Sequence, residues 1–166
     1  MISQKARYAF KALFALARLE MGVRLNVREI ADAEQIPRYF LEKILVELNR
    51  AGMVESRSGA RGGHCLAKDP ATITFGDVLR TVDGPVAPLP CLSRSAYRRC
   101  EDCRDEAACG IRDIFGQVLE AQLRVLDGTA IVAGLRGGSR QSFSSGPIVT
   151  KKSYQKSMNQ RGARID

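Results

Sequence analysis

The chain has no tryptophan, a single histidine (His64), and aromatic residues make up only 6% of its 166 positions. One histidine, with no paired-carboxylate pattern and no glycine loop of the kind that cradles phosphate, leaves no catalytic set to assemble, so an enzyme is not expected. Long apolar runs are missing too. Nothing approaches the roughly 20 apolar residues that span a bilayer. The opening MISQKARYAFKALFALARL is broken by Lys5, Arg7, Lys11 and Arg18. It lacks the basic start, uninterrupted apolar stretch and small-residue cleavage site of a secretory signal. A cytoplasmic protein with no membrane partner is the expectation, and the reducing conditions of that compartment disfavour structural disulfides. No internal repeat is present. Cysteine is scarce except in one place. Cys65 stands alone, and the other four fall within residues 91–109, CLSRSAYRRCEDCRDEAAC.

The net charge of +8 is unevenly spread. Residues 1–68 carry twelve Lys/Arg against seven Asp/Glu, residues 69–135 seven against ten, and residues 136–166 seven against one. Basic ends around an acidic middle point to a polyanionic partner, with ordinary solubilising charge as the plainer reading.

Apolar spacing of three and four predicts a helix over 3–20, capped by Ser3, buried through Ala6, Ala9, Phe10, Leu13, Phe14 and Ala17, and ended by Gly22. Asn26 followed by Glu29 resembles a capping box and starts a short helix at 27–34. Pro37 suits the first turn of another helix, whose buried face is Phe40, Leu41, Ile44, Leu45 and Leu48 and whose stop is Gly52. Residues 53–67 then give two short apolar segments around SGARGG, a hairpin pattern. Thr74 and Asp77 have cap spacing before a helix carrying Phe75, Val78, Leu79 and Val82. DGPVAPLP breaks regular structure. A long helix follows at 110–127, with Ile111, Ile114, Phe115, Val118, Leu119, Leu123, Val125 and Leu126 on a broad stripe, and Thr129 placed to cap a last turn. Residues 136–166 are polar, basic and aperiodic, the composition of a disordered tail, which either adds phosphate attraction or serves no purpose in binding.

A helix pair followed at once by a hairpin is the layout of a winged helix-turn-helix. The fold class is thus mainly α with a small β-hairpin wing and a long C-terminal helix. In such a unit the second helix enters the DNA major groove by its N-terminal turns. With Phe40, Leu41 and Ile44 assigned to the core, Arg38, Tyr39, Glu42 and Lys43 remain for the outer face. Arginine pairs with guanine, glutamate accepts from cytosine, and lysine and tyrosine hold phosphate. Arg57 or Arg61 of the wing would lie toward a narrow minor groove. A helical hairpin used only for packing is the alternative.

The four clustered cysteines have the spacing C-x8-C-x2-C-x5-C. From spacing alone an iron–sulfur cluster, zinc, redox thiols and no joint role all stand. Only Cys100 and Cys103 form the short knuckle of a zinc ribbon, and no βαβ pattern surrounds them to suggest a thioredoxin-like motif. Cys65 reads as a buried, inert thiol, and His64 as a polar residue at a strand edge.

The ordered run KARYAFKAL, IPRYFLEKILVELNRAGMV, SGARGGHCLAKDP and ITFGDVLRTVDG, then a cysteine loop at 84–109 and a long helix, resembles the Rrf family of bacterial winged-helix regulators, with its IscR, NsrR and RirA types. The resemblance covers about residues 1–135 and leaves the tail aside. It implies a homodimeric regulator, expected to be a repressor, that binds a double-stranded DNA operator, with helix 110–127 as the dimerisation helix. The family's reading positions fall on Arg38, Tyr39 and Glu42, and its wing arginine near Arg57 or Arg61. Many members carry an iron–sulfur cluster on three loop cysteines and sense iron, nitric oxide or redox state; others lack it. Cys91, Cys103 and Cys109 match that set, and Cys100 is additional. Family members that complete the cluster with a histidine or an aspartate have Arg112 and Arg7 at the corresponding positions here, and a guanidinium has no lone pair to give. Cys100 is then the expected fourth ligand, of either a 2Fe–2S or a 4Fe–4S cluster. Two alternatives remain: the same regulator with a zinc or thiol-switch site, and a ferredoxin-like electron carrier, which leaves the arginine-rich wing unexplained.

Overall fold

A computed structural model describes residues 2–59, 62–101, 103–135, 150–153 and 156. Arg61 and most of the tail at 136–166 lie outside the described residues. In chain order the elements are α1 (Gln4–Ala17), α2 (Val27–Glu34), α3 (Arg38–Arg50), β1 (Val54–Arg57), β2 (Gly63–Leu66), α4 (Phe75–Val82), α5 (Gly110–Gly128) and α6 (Ile131–Leu135), with single 3-10 turns at Pro70–Thr72 and Pro90–Leu92.

Local chemistry sets the helix starts. The Ser3 side chain accepts from the Ala6 N–H. Asn26 and Glu29 form a reciprocal capping box, and Thr74 and Asp77 form another. Each satisfies amides that the first helical turn leaves unpaired. Pro37 is the N-cap of α3, and its carbonyl accepts from both Phe40 and Leu41. At the other end Gly52 takes a positive φ of 68° just beyond the Ala51 C-cap, the stop expected from the sequence. α1 is shorter than its apolar pattern: it ends at Ala17, because the chain turns at Arg18 to bring Leu19 and Leu25 into the core, and Gly22 belongs to the turn that follows.

α1 is the central element. It packs against α2, α3, α4, α6 and β2, and Ala6, Ala9, Ala12, Leu13 and Ala15 are wholly buried. Leu41, Ile44, Leu45 and Leu48 of α3 complete the main core with Ile30, Ile73, Val78 and Ile131. Phe40 is a correction. It is 55% exposed, because the four aliphatic residues fill the contact with α1 and leave its ring on the flank of the helix.

The wing is a two-stranded antiparallel hairpin pairing Val54 with Leu66 and Arg57 with Gly63. A third segment joins it. Leu25 and His64 exchange both backbone hydrogen bonds, at 3.0 and 2.7 Å. Gly63 makes the approach possible: its φ is +132°, and a Cβ there would lie 2.6 Å from the Leu25 carbonyl oxygen. Cys65 is buried as expected, and burial pushes its thiol pKa up. His64 Nδ1 lies 2.8 Å from Ser56 Oγ, and burial, then the Arg24 charge, holds its pKa below the usual histidine range.

Two expectations follow. Gly63→Ala should destabilise the fold by about 1–3 kcal/mol, through an unfavourable φ and a backbone clash together, whereas Gly110→Ala, which meets open space, should not; urea unfolding of both variants checks this. Because His64 is depressed in the folded chain, its contribution to stability is complete above the ordinary histidine pKa of about 6.5 and is lost as pH falls through the lower native value. The wild-type urea midpoint should therefore drop between pH 7 and pH 5 more steeply than that of His64→Gln; parallel slopes would count against the assignment.

Candidate nucleic-acid interface and cysteine loop

The helix pair is joined by three residues. Gln35 takes the left-handed conformation (φ 52°, ψ 53°) and donates its backbone N–H to Ala31, and buried Ile36 anchors the turn before Pro37 starts α3. The first turns of α3 thus project from a fixed corner. Arg38 Nε donates to Glu42 Oε1 at 2.9 Å, one helical turn on. Tyr39 is 65% exposed, and the Lys43 ammonium sits 4.2 Å from its ring centroid. Phe40 meets Tyr39 edge-on, with centroids 6.0 Å apart. Arg38, Tyr39, Glu42 and Lys43 are all exposed, opposite Leu41, Ile44, Leu45 and Leu48. Exposed ion pairs and cation–π contacts hold side chains in place at little energetic gain, so they exchange readily for contacts with another molecule.

On the wing, Arg57 Nε pairs with Glu55 Oε1 at 3.0 Å and remains exposed. The same carboxylate oxygen takes Arg24 Nη2 at 2.9 Å. Hydrogen bonds from Arg24 and then Arg57 hold the Glu55 carboxyl below its usual pKa. Arg24 also donates to the backbone oxygens of Glu55 and Gly63, each at 3.3 Å. It locks the wing to the segment before α2, a positioning role that the charge count did not single out. The signal was present in the alternation of Val23, Leu25 and Val27 around Arg24 and Asn26, a strand period in a stretch too short to weigh. Arg61 lies outside the described residues.

The cysteine loop hangs between α4 and α5. Cys91 is buried in the Pro90–Leu92 turn, which packs on α5. Buried Ser93 follows it and accepts the Ala96 N–H at 3.0 Å. Cys100 is exposed, and Cys103 and Cys109 are half-buried. The Cys103 N–H donates to the Cys100 carbonyl at 3.3 Å, and Arg99 closes the loop onto the carbonyls of Cys103 and Arg104. Lost hydration, then the neighbouring Cys109, Cys100 and Glu106, push the Cys103 thiol pKa up. Cys109 and Cys100 therefore each lie within electrostatic reach of Cys103. Cys109 is the N-cap of α5. Tyr97 donates to Glu106 at 2.6 Å, and this bond raises the tyrosine pKa. All five cysteines are free thiols. Among the described residues no group of three or more His, Cys, Asp or Glu is arranged as a metal-holding set. In donor chemistry the thiols still suit a thiophilic metal: the charges that oppose ionisation of Cys103 are those a cation would neutralise. Arg112 Nε, 3.7 Å from Glu106 and otherwise unpartnered, has nothing to offer a metal.

α5 presents the sequence's apolar stripe mostly to solvent. Ile111, Ile114, Phe115, Val118 and Val125 are exposed, and only Leu119 is buried. Its C-terminal end is held at α4, where Arg80 bridges Asp77 (3.1 Å) and Asp127 (2.8 Å). Among the described residues no helix is long and apolar enough to cross a membrane.

Comparison with known proteins agrees with this geometry. The profile of the Rrf2 family, described as iron-dependent transcriptional regulator, matches residues 2–133. An HTH-type regulator of Rhodobacter capsulatus named as rrf2-like is 45% identical over 142 residues, covering 84% of this chain and 95% of its own. The regulator NsrR of Geobacillus kaustophilus is 32% identical over 126 residues, covering 76% and 83%. The solved structure of CymR, described as the global cysteine regulator of Bacillus subtilis, superposes with a TM-score of 0.67 at 28% identity, covering 84% of this chain and 98% of that one. Winged helix, hairpin and family match agree, and the chain belongs to the Rrf2 family of DNA-binding helix-turn-helix transcriptional regulators, which are not enzymes.

Proposed function

We propose that this regulator is a cytoplasmic homodimeric repressor whose affinity for a palindromic operator is set by an iron–sulfur cluster held on the cysteine loop. Arg38 and Glu42 read base edges in the major groove, Tyr39 and Lys43 hold phosphate, and Arg57 or Arg61 reaches the minor groove. Two readers on one face of the duplex engage half-sites about one helical turn, roughly 34 Å, apart. The exposed stripe on α5 supports a dimer, because an apolar surface of that length calls for a partner helix. The tail at 136–166 adds phosphate attraction from outside the winged domain at 1–135.

The observation that carries the sensing half is the placement of Cys109. It opens α5, with Cys103 and Cys100 close by, while α5 packs on α4 and α4 packs on α3. Whatever the thiols hold therefore bears on the reading helix through two packed interfaces. Cys91, Cys100, Cys103 and Cys109 would be the ligands; a bound cluster would supply a redox- and oxygen-sensitive charge at the head of α5. The family profile's description as iron-dependent supports iron. A second reading makes the thiols a zinc site or a thiol switch, favoured by the contact between Cys103 and Cys109. The electron-carrier alternative does not account for the match over residues 2–133.

Anaerobic purification with iron, sulfide, zinc and visible absorbance measured together separates these readings. The cluster predicts iron with sulfide, and loss of absorbance in the Cys91→Ala, Cys103→Ala, Cys109→Ala triple variant. It also predicts a change in operator affinity of about 5- to 150-fold between loaded and stripped protein. Zinc alone, or affinity indifferent to loading, would overturn it. Val118→Asp should convert a dimer to a monomer in sedimentation and weaken operator binding; a monomeric wild type would dismiss the dimer.

A further inference from the structure

Phe40 is a large apolar side chain that its own chain leaves exposed on the reading helix. It sits on the first turn of α3, one residue from the aliphatic core, yet 55% of it is exposed. Tyr39 meets its ring edge-on at 6.0 Å, and the Lys43 ammonium lies 4.2 Å from the Tyr39 ring. Arg38 and Glu42, paired at 2.9 Å, stand two residues to either side of it in sequence and so lie on the other side of the helix. This surface differs from the α5 stripe. There, several aliphatic side chains follow one another along a helix, as a protein partner requires. Here an exposed phenylalanine stands beside an exposed tyrosine at the N-terminal end of α3, the end that enters the major groove in the proposed reading. The one methyl group that the base pairs present in that groove is the 5-methyl of thymine, and phenylalanine is among the side chains that meet it.

We propose that Phe40 is a specificity-determining residue that reads a thymine methyl group in each half-site. This rests on α3 being the major-groove reader, and assigns apolar readout to the flank of the helix away from Arg38 and Glu42. Sequence preference at one position then comes from burial of a methyl group rather than from a hydrogen bond.

The test uses the full chain and a duplex that the wild-type protein selects from a randomised pool. Each thymine of one half-site is replaced in turn by deoxyuridine, which removes the methyl group and leaves every hydrogen bond intact. Binding is read by fluorescence anisotropy. At one position uracil should weaken wild-type binding about fourfold, the worth of one buried methyl-sized group. The Phe40→Ala variant should bind thymine and uracil duplexes equally, and Phe40→Leu should recover part of the discrimination. Circular dichroism melts establish that both variants fold. If uracil is neutral at every position for wild type, or costs Phe40→Ala as much as wild type, the inference fails while the reading of α3 stands. If no specific duplex is selected, the reading of α3 as the major-groove helix fails and the inference with it.

Discussion

Ala6, Ala9, Ala12 and Ala15 are buried to the last square ångström along α1, and their small side chains determine how near the surrounding elements come. Helix separation depends on the side chains at the contact, and a helix faced with alanine admits close neighbours on several sides. α1 uses that freedom to touch α2, α3, α4, α6 and β2 together. The helix pair, the wing and the segment leading to the cysteine loop are thus referred to one axis. α4 is drawn in further by stacking of Phe75 on Phe10, with ring centroids 4.7 Å apart, and by Lys5, whose ammonium reaches both the Val82 carbonyl and the Glu47 carboxylate. Position 5 therefore links α4 to α3 directly.

What the sequence made legible was decided by short-range chemistry. Capping residues act within four positions, so the starts of α2 and α4 could be read from Asn26–Glu29 and Thr74–Asp77 alone. Glycine and proline act on their own backbone, so the limits of α3 could be read as well. The misreadings came from long-range packing. Phe40 has the right spacing for the core of α3, but Leu41, Ile44, Leu45 and Leu48 already fill the contact, and periodicity does not show when a face is full. The pairing of Leu25 with His64 joins residues 39 positions apart and leaves a local trace of only three alternating residues.

The site was legible in the same uneven way. The stripe on α5 was visible as apolar spacing, but spacing does not say whether a helix packs on its own chain; exposure of Ile111, Ile114, Phe115, Val118 and Val125 shows that these residues do not. The cysteine loop follows neither helical nor strand periodicity, since hydrogen bonds such as those of Arg99, Tyr97 and Ser93 hold it rather than a buried face. Their partners could not be inferred from residue order. Arg24 has the same character, an arginine whose importance lies in carbonyls supplied by two other segments.

The Arg80 bridge to Asp77 and Asp127 gives α5 a mechanical character. The helix has 19 residues, with Cys109 at one end and the clasped Asp127 near the other. At 1.5 Å per residue its length is about 28 Å. Pivoted at the clasp, α5 is a long lever: displacing the cysteine end by an ångström turns the whole shaft by only about two degrees. Such gearing trades distance for force. A displacement of the cysteine end would thus reach α4 as a minor rotation with high leverage, suited to prying between packed side chains rather than to sweeping a domain through space.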